Sequence, residues 1–494
     1  MNIKNILISH GFTAKEDYQN IYINIYSALK KAILAKAIHD NIKLPPTRIL
    51  AKDIGVSRST IIKAYDLLVL EKYVNPKIGS GYYVNYSKRK KIKSTIGVNF
   101  KLGKHPKISK KGLSFQKNFQ IINNSESDLG IAFRPGLPPL DVFPVTQWKK
   151  ITNDYWKKVK SSELSYSNTT GIECLKENIA NYLKIYRNID CSSSQIIITT
   201  GSLHSLSLIS DALIDKNDEV VIENPTYPYA HNLFKSLKAK IFSASIDDEG
   251  MVLKHLNCGN PKLIYTTPSN QYPTGVKMSL NRRLELVRWS SLKNSIIIED
   301  DYDHEFSNWE NPIASIFSLD KQERVVYLGT FNKLLHPSLR LGYMIIPYYL
   351  FDTVTALYQQ TSRFVTSSSQ KILSTFIEKD YLNKHIRRVI EVSLERKHIF
   401  INSFSENFEK HIEINEENSG LHIIGHLKEE INDKKLSDFF KIKGITAHPY
   451  SLYFIEGDKK NGLIMGYSSV NNKRINETIH KMKNELDDFL NLKK

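Results

Sequence analysis

Between residues 195 and 328, six short apolar runs (195–199, 219–223, 240–243, 262–266, 295–299 and 325–328) are separated by stretches long enough for helices. Runs of this length, rich in Ile and Val, bury both faces as strands of a mostly parallel sheet covered by helices. The larger part of the chain is thereby held to an α/β domain. Ligands of such domains collect at the carboxyl ends of the strands. At 494 residues there is room for two or three domains in all.

The residues at those strand ends form an ordered set. Thr200-Gly201-Ser202-Leu203-His204 follows the first run and opens a helical stretch, so the backbone N–H groups at Ser202 and Leu203 suit a phosphate dianion. Asn224-Pro225-Thr226-Tyr227 follows the second run and brings the ring of Tyr227, able to lie over a planar group. Thr267-Pro268-Ser269-Asn270-Gln271 follows the fourth, with Gln271 as its candidate polar contact. Asp300 closes the fifth, where a carboxylate would pair with a protonated ring nitrogen, and Tyr302 points the same way toward a ring oxygen. After the sixth, Thr330 and Arg340 suit a phosphate, and Lys333 suits an imine with an aldehyde. A solitary lysine is normally a solvated surface group, and Tyr227 alone would be core; the reading rests on the ordered set.

That set resembles the fold-type I aminotransferases. The resemblance implies pyridoxal 5'-phosphate as cofactor, bound through Ser202, Leu203, Tyr227, Gln271, Asp300, Tyr302, Thr330, Lys333 and Arg340. Lys333 would be the catalytic residue, forming the Schiff base with it.

Charge divides the chain near residue 125. Residues 1–125 carry 23 Lys and Arg against 6 Asp and Glu, and the remainder 46 against 45. A lysine bias of genomic origin would run throughout, so the division predicts a polyanionic partner for the N-terminal part. Ile21, Ile25, Leu29, Ile33 and Ala37 predict a first helix over 21–38. Leu44-Pro45-Pro46-Thr47 supplies a break and an N-cap, with a second helix over Thr47–Ile54. Gly55-Val56-Ser57 is a tight turn in which Gly55 takes positive φ and Ser57 caps the next helix. Arg58, Ser59 and Thr60 then lie where a recognition helix reads the major groove, with Lys63 placed either for a phosphate or as a solvated face residue. Tyr73-Val74 and Tyr82-Tyr83-Val84 flank Gly79-Ser80-Gly81 as a two-stranded wing.

This pattern resembles the winged helix-turn-helix of the GntR family, which implies a double-stranded DNA operator contacted by Arg48, Ser57, Arg58, Ser59 and Gly79. From 85 to 125 there are 11 basic residues and no acid, with little hydrophobic period. That composition predicts a flexible tether. The domain plan is a winged helix-turn-helix at 18–86, a basic flexible linker at 87–125 and an aminotransferase-like effector and dimerisation domain at 126–494.

A GntR-type head in front of such a domain resembles the MocR family of transcriptional regulators. The resemblance implies a cofactor-dependent DNA-binding regulator acting as a head-to-tail homodimer. Two positions depart from the family pattern. Aminotransferases usually hold the substrate carboxylate with an arginine on a strand near the C-terminus, where this chain has Ile464. Amino-acid-sensing MocR members also use an arginine two residues after the stacking tyrosine, where Tyr229 stands. Arg363 and Arg134 are the remaining candidates for an anchor. These departures favour pyridoxal phosphate itself as effector, with control of vitamin B6 metabolism. The alternatives are a sensor of an amino acid through the lysine-bound cofactor, and a regulator that keeps aminotransferase activity.

No apolar run approaches 20 residues, which argues against a membrane-spanning helix. The N-terminal stretch lacks a signal-peptide core. Cys174, Cys191 and Cys258 lack close pairing, as expected for a reducing cytoplasm without disulfide or bound metal.

Overall fold

The computed structural model describes residues 3–12, 21–77, 79–85, 107–122, 133–254, 256–307, 313–408, 410–414, 420–428 and 431–492. The chain divides into two compact units, Met1–Pro106 and Lys107–Lys494.

The first unit contains α1 (Ile3–Ser9), α2 (Ile21–Leu34), α3 (Thr47–Ile54), α4 (Arg58–Leu70) and the hairpin β1 (Val74–Lys77) and β2 (Gly81–Val84). The helical period of α2 puts Ile25, Leu29 and Ile33 against Leu50, Ile61, Tyr65 and Leu68, all sealed from water. Tyr65 donates its hydroxyl to the Pro45 carbonyl at 3.0 Å and sets its ring edge-on to Tyr82 at 5.0 Å, tying α4 to both the break before α3 and the wing. Gly55 sits at φ 72° and ends α3, and Ser57 accepts from the Thr60 N–H at 3.2 Å, as the turn chemistry predicts. One expectation is corrected. Thr47 is not an N-cap: Pro46 occupies that position without a side-chain bond, since proline brings the fixed φ but no acceptor. α1 had no counterpart in the sequence reading; it adds Ile3 and Leu7 to the same core.

The second unit is built on an eight-stranded sheet. Its strands are β3 (Ile196–Thr199), β4 (Glu219–Asn224), β5 (Lys240–Asp247), β6 (Gly250–Met251), β7 (Leu263–Thr266), β8 (Ile296–Asp300), β9 (Val325–Thr330) and β10 (Gly342–Ile345), in the order β3-β10-β9-β8-β7-β4-β5-β6. β4, β5, β7, β8 and β9 run parallel; β10 inserts antiparallel between β3 and β9. The helices that precede or connect the early strands include α5 (Lys110–Ile122), α6 (Val145–Lys158), α7 (Glu173–Arg187), α8 (Ser202–Leu213) and α9 (Pro228–Ser236). α5 corrects the expectation of a wholly flexible linker at 87–125: it is helical, and it packs on α9. Residues 87–106 and 123–125 lie outside the described residues.

A smaller antiparallel sheet follows, β11 (Ile412–Ile414), β12 (Ile423–Leu427), β13 (His448–Pro449) and β14 (Gly462–Met465), in the order β11-β12-β14-β13. It shares a core with the long helices Tyr381–Phe408 and Asn472–Asn491. Strands of two to five residues separated by long connections leave little period to read, and this lobe was not anticipated.

Candidate functional site

Because β10 runs opposite to both its neighbours, β3 points the same way as β4 and β7–β9, and five strands deliver their carboxyl ends to one edge. There the chain places Ser202, Tyr227, Asn270, Asp300, Tyr302 and Lys333. Alternation along β8 decides which acid faces which way. Glu299 turns to the opposite face, accepting from the Ile316 and Phe317 N–H groups at 2.9 and 2.8 Å. Asp300 turns into the site.

Asp300 is 5 % exposed, and its Oδ2 accepts from the Tyr265 hydroxyl at 2.8 Å. Its Oδ1 is buried with no hydrogen-bond partner. Burial pushes this carboxyl up to about 7, the Tyr265 bond opposing. An unpartnered buried carboxylate oxygen at a strand end is a receptor for a cation. Lys333 donates through Nζ to the Gly136 carbonyl at 2.6 Å and lies 6.0 Å from the Tyr302 ring centre. Burial lowers its pKa, against the pull of Asp303 and Asp300, favouring the uncharged amine that attacks a carbonyl. Gly136 takes φ 73°, which favours glycine, and a Cβ there would stand 2.5 Å from Nζ and displace the lysine tip.

The first turn of α8, expected from the sequence to take an anion, carries no acid. Gly201 at φ 127° turns the chain into it, and any side chain on Gly342 would strike the Gly201 backbone at 2.8 Å. Ser202 and Leu203 therefore present their N–H groups outward at a helix start. Thr330 accepts from the Asn332 N–H at 3.2 Å through its hydroxyl. Arg340 is exposed on the left-handed turn after Pro337–Leu339. Its charge reaches His204 on α8 and Tyr227, lowering the first, where burial is the larger cause.

Tyr227 caps α9 and is half-buried. It belongs to a cluster of rings: Tyr229 at 5.3 Å, and Tyr272 at 5.6 Å, which in turn meets Tyr302, Tyr453 and His422 at 5.8, 5.7 and 5.3 Å. The Tyr302 hydroxyl donates to the Asn270 carbonyl at 3.1 Å.

Gln271 is a correction. Its Nε2 donates to the Pro225 and Tyr272 carbonyls at 2.8 and 2.9 Å and to Glu223 at 3.1 Å, and its Oε1 accepts from the Thr274 N–H and hydroxyl. The amide stitches the turn, and no capacity is left for a ligand. Its neighbour Asn270, not chosen, holds Asp303 through Nδ2 at 2.9 Å. Tyr265 was missed as well. Its signal was faint: β7 pairs with β8 so that Tyr265 lies beside Ile298, two residues before Asp300 on the same face.

The two positions that lack arginine are structurally distinct. Ile464 is sealed in an apolar cluster with Ile424, Tyr450 and Tyr453, while Tyr229 is 36 % exposed on the Tyr227 ring. Arg363 sits over the Tyr166 ring at 5.0 Å; the charge of Arg134 acts on Lys333.

In the first unit, Arg48 on α3 and Ser57, Arg58, Ser59, Lys63 and Gly79 are exposed, and Thr60 is half-buried. Arg58 reaches back to the Thr47 hydroxyl at 3.4 Å through Nε, which orients the guanidinium at the start of α4. The hydroxyls of Ser59 and Thr60 both meet Ser57 Oγ, at 2.8 and 2.7 Å. Lys63 Nζ lies 5.7 Å from the Tyr22 ring. Gly79, at φ 76°, makes the wing tip possible without strain.

A DNA-reading winged helix and a domain with the donor set for pyridoxal phosphate define a class: a transcription regulator built on an aminotransferase frame. Residues 21–84 match the family of bacterial regulatory proteins of the gntR type, and residues 136–446 match aminotransferase class I and II. Among curated proteins the chain is 30 % identical to the probable rhizopine catabolism regulatory protein MocR of Rhizobium meliloti, covering 93 % of this chain and 92 % of that one. It is 26 % identical to the pyridoxine biosynthesis regulator PdxR of Corynebacterium glutamicum, over 86 % and 87 %. Among solved structures, the kynurenine aminotransferase of Pyrococcus horikoshii in complex with PMP superposes with a TM-score of 0.68 at 28 % identity, covering 78 % of this chain and 97 % of that one. The chain belongs to the MocR-type GntR regulators, whose large domain is that of the class I and II aminotransferases. Pyridoxal phosphate is its cofactor. Among the described residues no helix is long and apolar enough to cross a membrane.

Proposed function

We propose that this chain regulates transcription in response to pyridoxal phosphate itself, and that its targets belong to vitamin B6 metabolism. The observation that carries the reading is the loss of both carboxylate anchors, with Ile464 sealed among apolar side chains and Tyr229 laid against Tyr227. The likeness to PdxR, whose name places it in pyridoxine biosynthesis, supports the same reading.

The residues divide the work. Lys333 supplies the uncharged amine, Asp300 the carboxylate for the ring nitrogen, Tyr302 a hydroxyl that would have to turn from the Asn270 carbonyl to the ring oxygen, and Tyr227 a face for the ring. The α8 turn at Ser202 and Leu203, with Thr330 and Arg340, takes the phosphate. When bound, the cofactor supplies an aldehyde and an electron-withdrawing ring. Two copies arranged head to tail would present two winged helices to a duplex with Arg48, Ser57, Arg58, Ser59, Thr60, Lys63 and Gly79 at the DNA. Binding can shift an operator equilibrium only by favouring one arrangement of those heads over another.

The test uses an operator selected from a random duplex pool. Pyridoxal phosphate alone should change its Kd on the order of tenfold, and a panel of amino acids should add nothing. A second reading, an amino-acid effector, rests on Arg134, whose charge is felt at Lys333. A response confined to one amino acid and lost in Arg134→Ala would establish it instead.

A further inference from the structure

α5 is the first described element that the chain forms after the wing, and it lies against α9. Asn118 of α5, 4 % exposed, donates through Nδ2 to Ser236 Oγ at 2.7 Å, and Ser236 is 2 % exposed. An amide and a hydroxyl paired out of water form a specific latch, because sliding either helix by a residue leaves both unsatisfied. Among the described side chains of α5, Leu113 and Phe115 are 49 % and 42 % exposed.

The other end of α9 belongs to the cofactor site. Tyr227 is its N-cap and Pro228 its first residue, so nine residues of helix, about 13 Å, join the stacking ring to Ser236. The approach to that ring is clamped to the C-terminal lobe. Thr226 N–H donates to the Tyr453 carbonyl, Ile455 N–H to Asn224 Oδ1, and Asn224 Nδ2 to the Glu456 carbonyl, each at 3.0 Å. A short rod, held at its start by ring and lobe, therefore ends on the latch.

We propose that α5, latched to α9 through Asn118 and Ser236, is the element by which occupancy of the cofactor site sets the reach of the DNA-binding unit. The proposal rests on the reading of the cofactor as effector. A ring seated against Tyr227 fixes the first turn of α9 and thereby the position of Ser236, which strengthens the latch. Latched, the 13 residues of α5 span about 20 Å; released and extended, they reach about 45 Å.

The experiment follows hydrogen exchange of residues 107–118 in the full chain, with and without pyridoxal phosphate, alongside operator binding. Cofactor should raise α5 protection about fivefold. Asn118→Ala and Ser236→Ala should each lower that protection and bring the cofactor-dependent change in operator Kd from about tenfold to within twofold. Cofactor uptake, read by visible absorbance, and affinity for random duplex should stay at wild-type values. The double variant should do no more than either single one, since they share one contact. Equal α5 exchange in the loaded and unloaded wild type overturns the proposal, as does a full operator response in both single variants. Failure of the effector reading looks different: operator Kd is indifferent to cofactor while α5 exchange still responds, and the latch then stands alone.

Discussion

A carboxylate buried with one oxygen satisfied and the other unmet is a poor way to hold a fold together and a good way to receive a cation. Asp300 has that form, with Tyr265 on Oδ2 and nothing on Oδ1. Its carboxyl is pushed up to about 7 in the folded chain, against roughly 3.9 in an unfolded one. The folded chain therefore holds this proton more tightly. The group's stabilising preference is complete below about pH 4 and is lost as pH rises from 4 through 7. The cofactor-free protein should lose thermal stability between about pH 4 and 7, and Asp300→Asn should lose less, a difference on the order of a few kcal/mol. Superimposable melting curves for the two proteins across that range would show that Asp300 is not the titrating group. The same variant, unable to pair with a ring nitrogen, should bind pyridoxal phosphate about 10- to 100-fold more weakly. Lys333→Ala tests the other half of the site. Borohydride should fix cofactor to the wild-type chain and not to the variant; equal labelling would move the reactive amine elsewhere.

At the level of elements, the helix-turn-helix was legible because each device in it is local: the period of α2, the αL glycine at 55 and the cap at Ser57. The strand ends were legible because apolar runs and the polar residues after them are adjacent in sequence. What escaped depends on partners distant in sequence. β10 could not be placed as an antiparallel insertion, since strand order is not written along the chain. Gln271 and Asn270 are adjacent amides in the sequence, and only the fold shows which of them the turn consumes. α5 was hidden by its lysines, which mark solvent exposure without saying whether the backbone between them is helical. Arg58 and Lys63 occupy one helix and should fail differently. Arg58→Ala should cost about 1–3 kcal/mol of discrimination between operator and random duplex. Lys63→Ala should weaken both about equally, as expected of a phosphate contact. Parallel losses for Arg58→Ala, measured by competition binding, would remove it from base reading.

At the scale of the whole molecule, the proposed choice of cofactor over amino acid as effector can be tested at one exposed side chain. Tyr229 is open to solvent, so Tyr229→Arg should fold and bind cofactor as before. By restoring a guanidinium near Tyr227, it should bring a response of operator binding to an amino acid, about threefold or more. Silence across a panel of twenty amino acids would show that the anchor must come from the β14 position. There Ile464→Arg would bury a charge in an apolar cluster and destabilise the unit by several kcal/mol.

The division of charge has a thermodynamic reading of its own. The excess of 23 bases over 6 acids lies before residue 126, whereas the cofactor's contacts lie after it. Of those bases Lys110, Lys111 and Lys117 lie on α5, which is proposed to respond to the cofactor, and the others precede it, so counterion release and ligand occupancy fall largely to different regions. Plots of log operator affinity against log salt, taken with and without pyridoxal phosphate, should be two parallel lines, each falling by about 0.9 per phosphate engaged. On the proposed reading of the cofactor as effector, their vertical offset is its signal, the same in dilute and in concentrated medium. On that reading a cell whose ionic strength fluctuates would still register the cofactor on an unchanged scale.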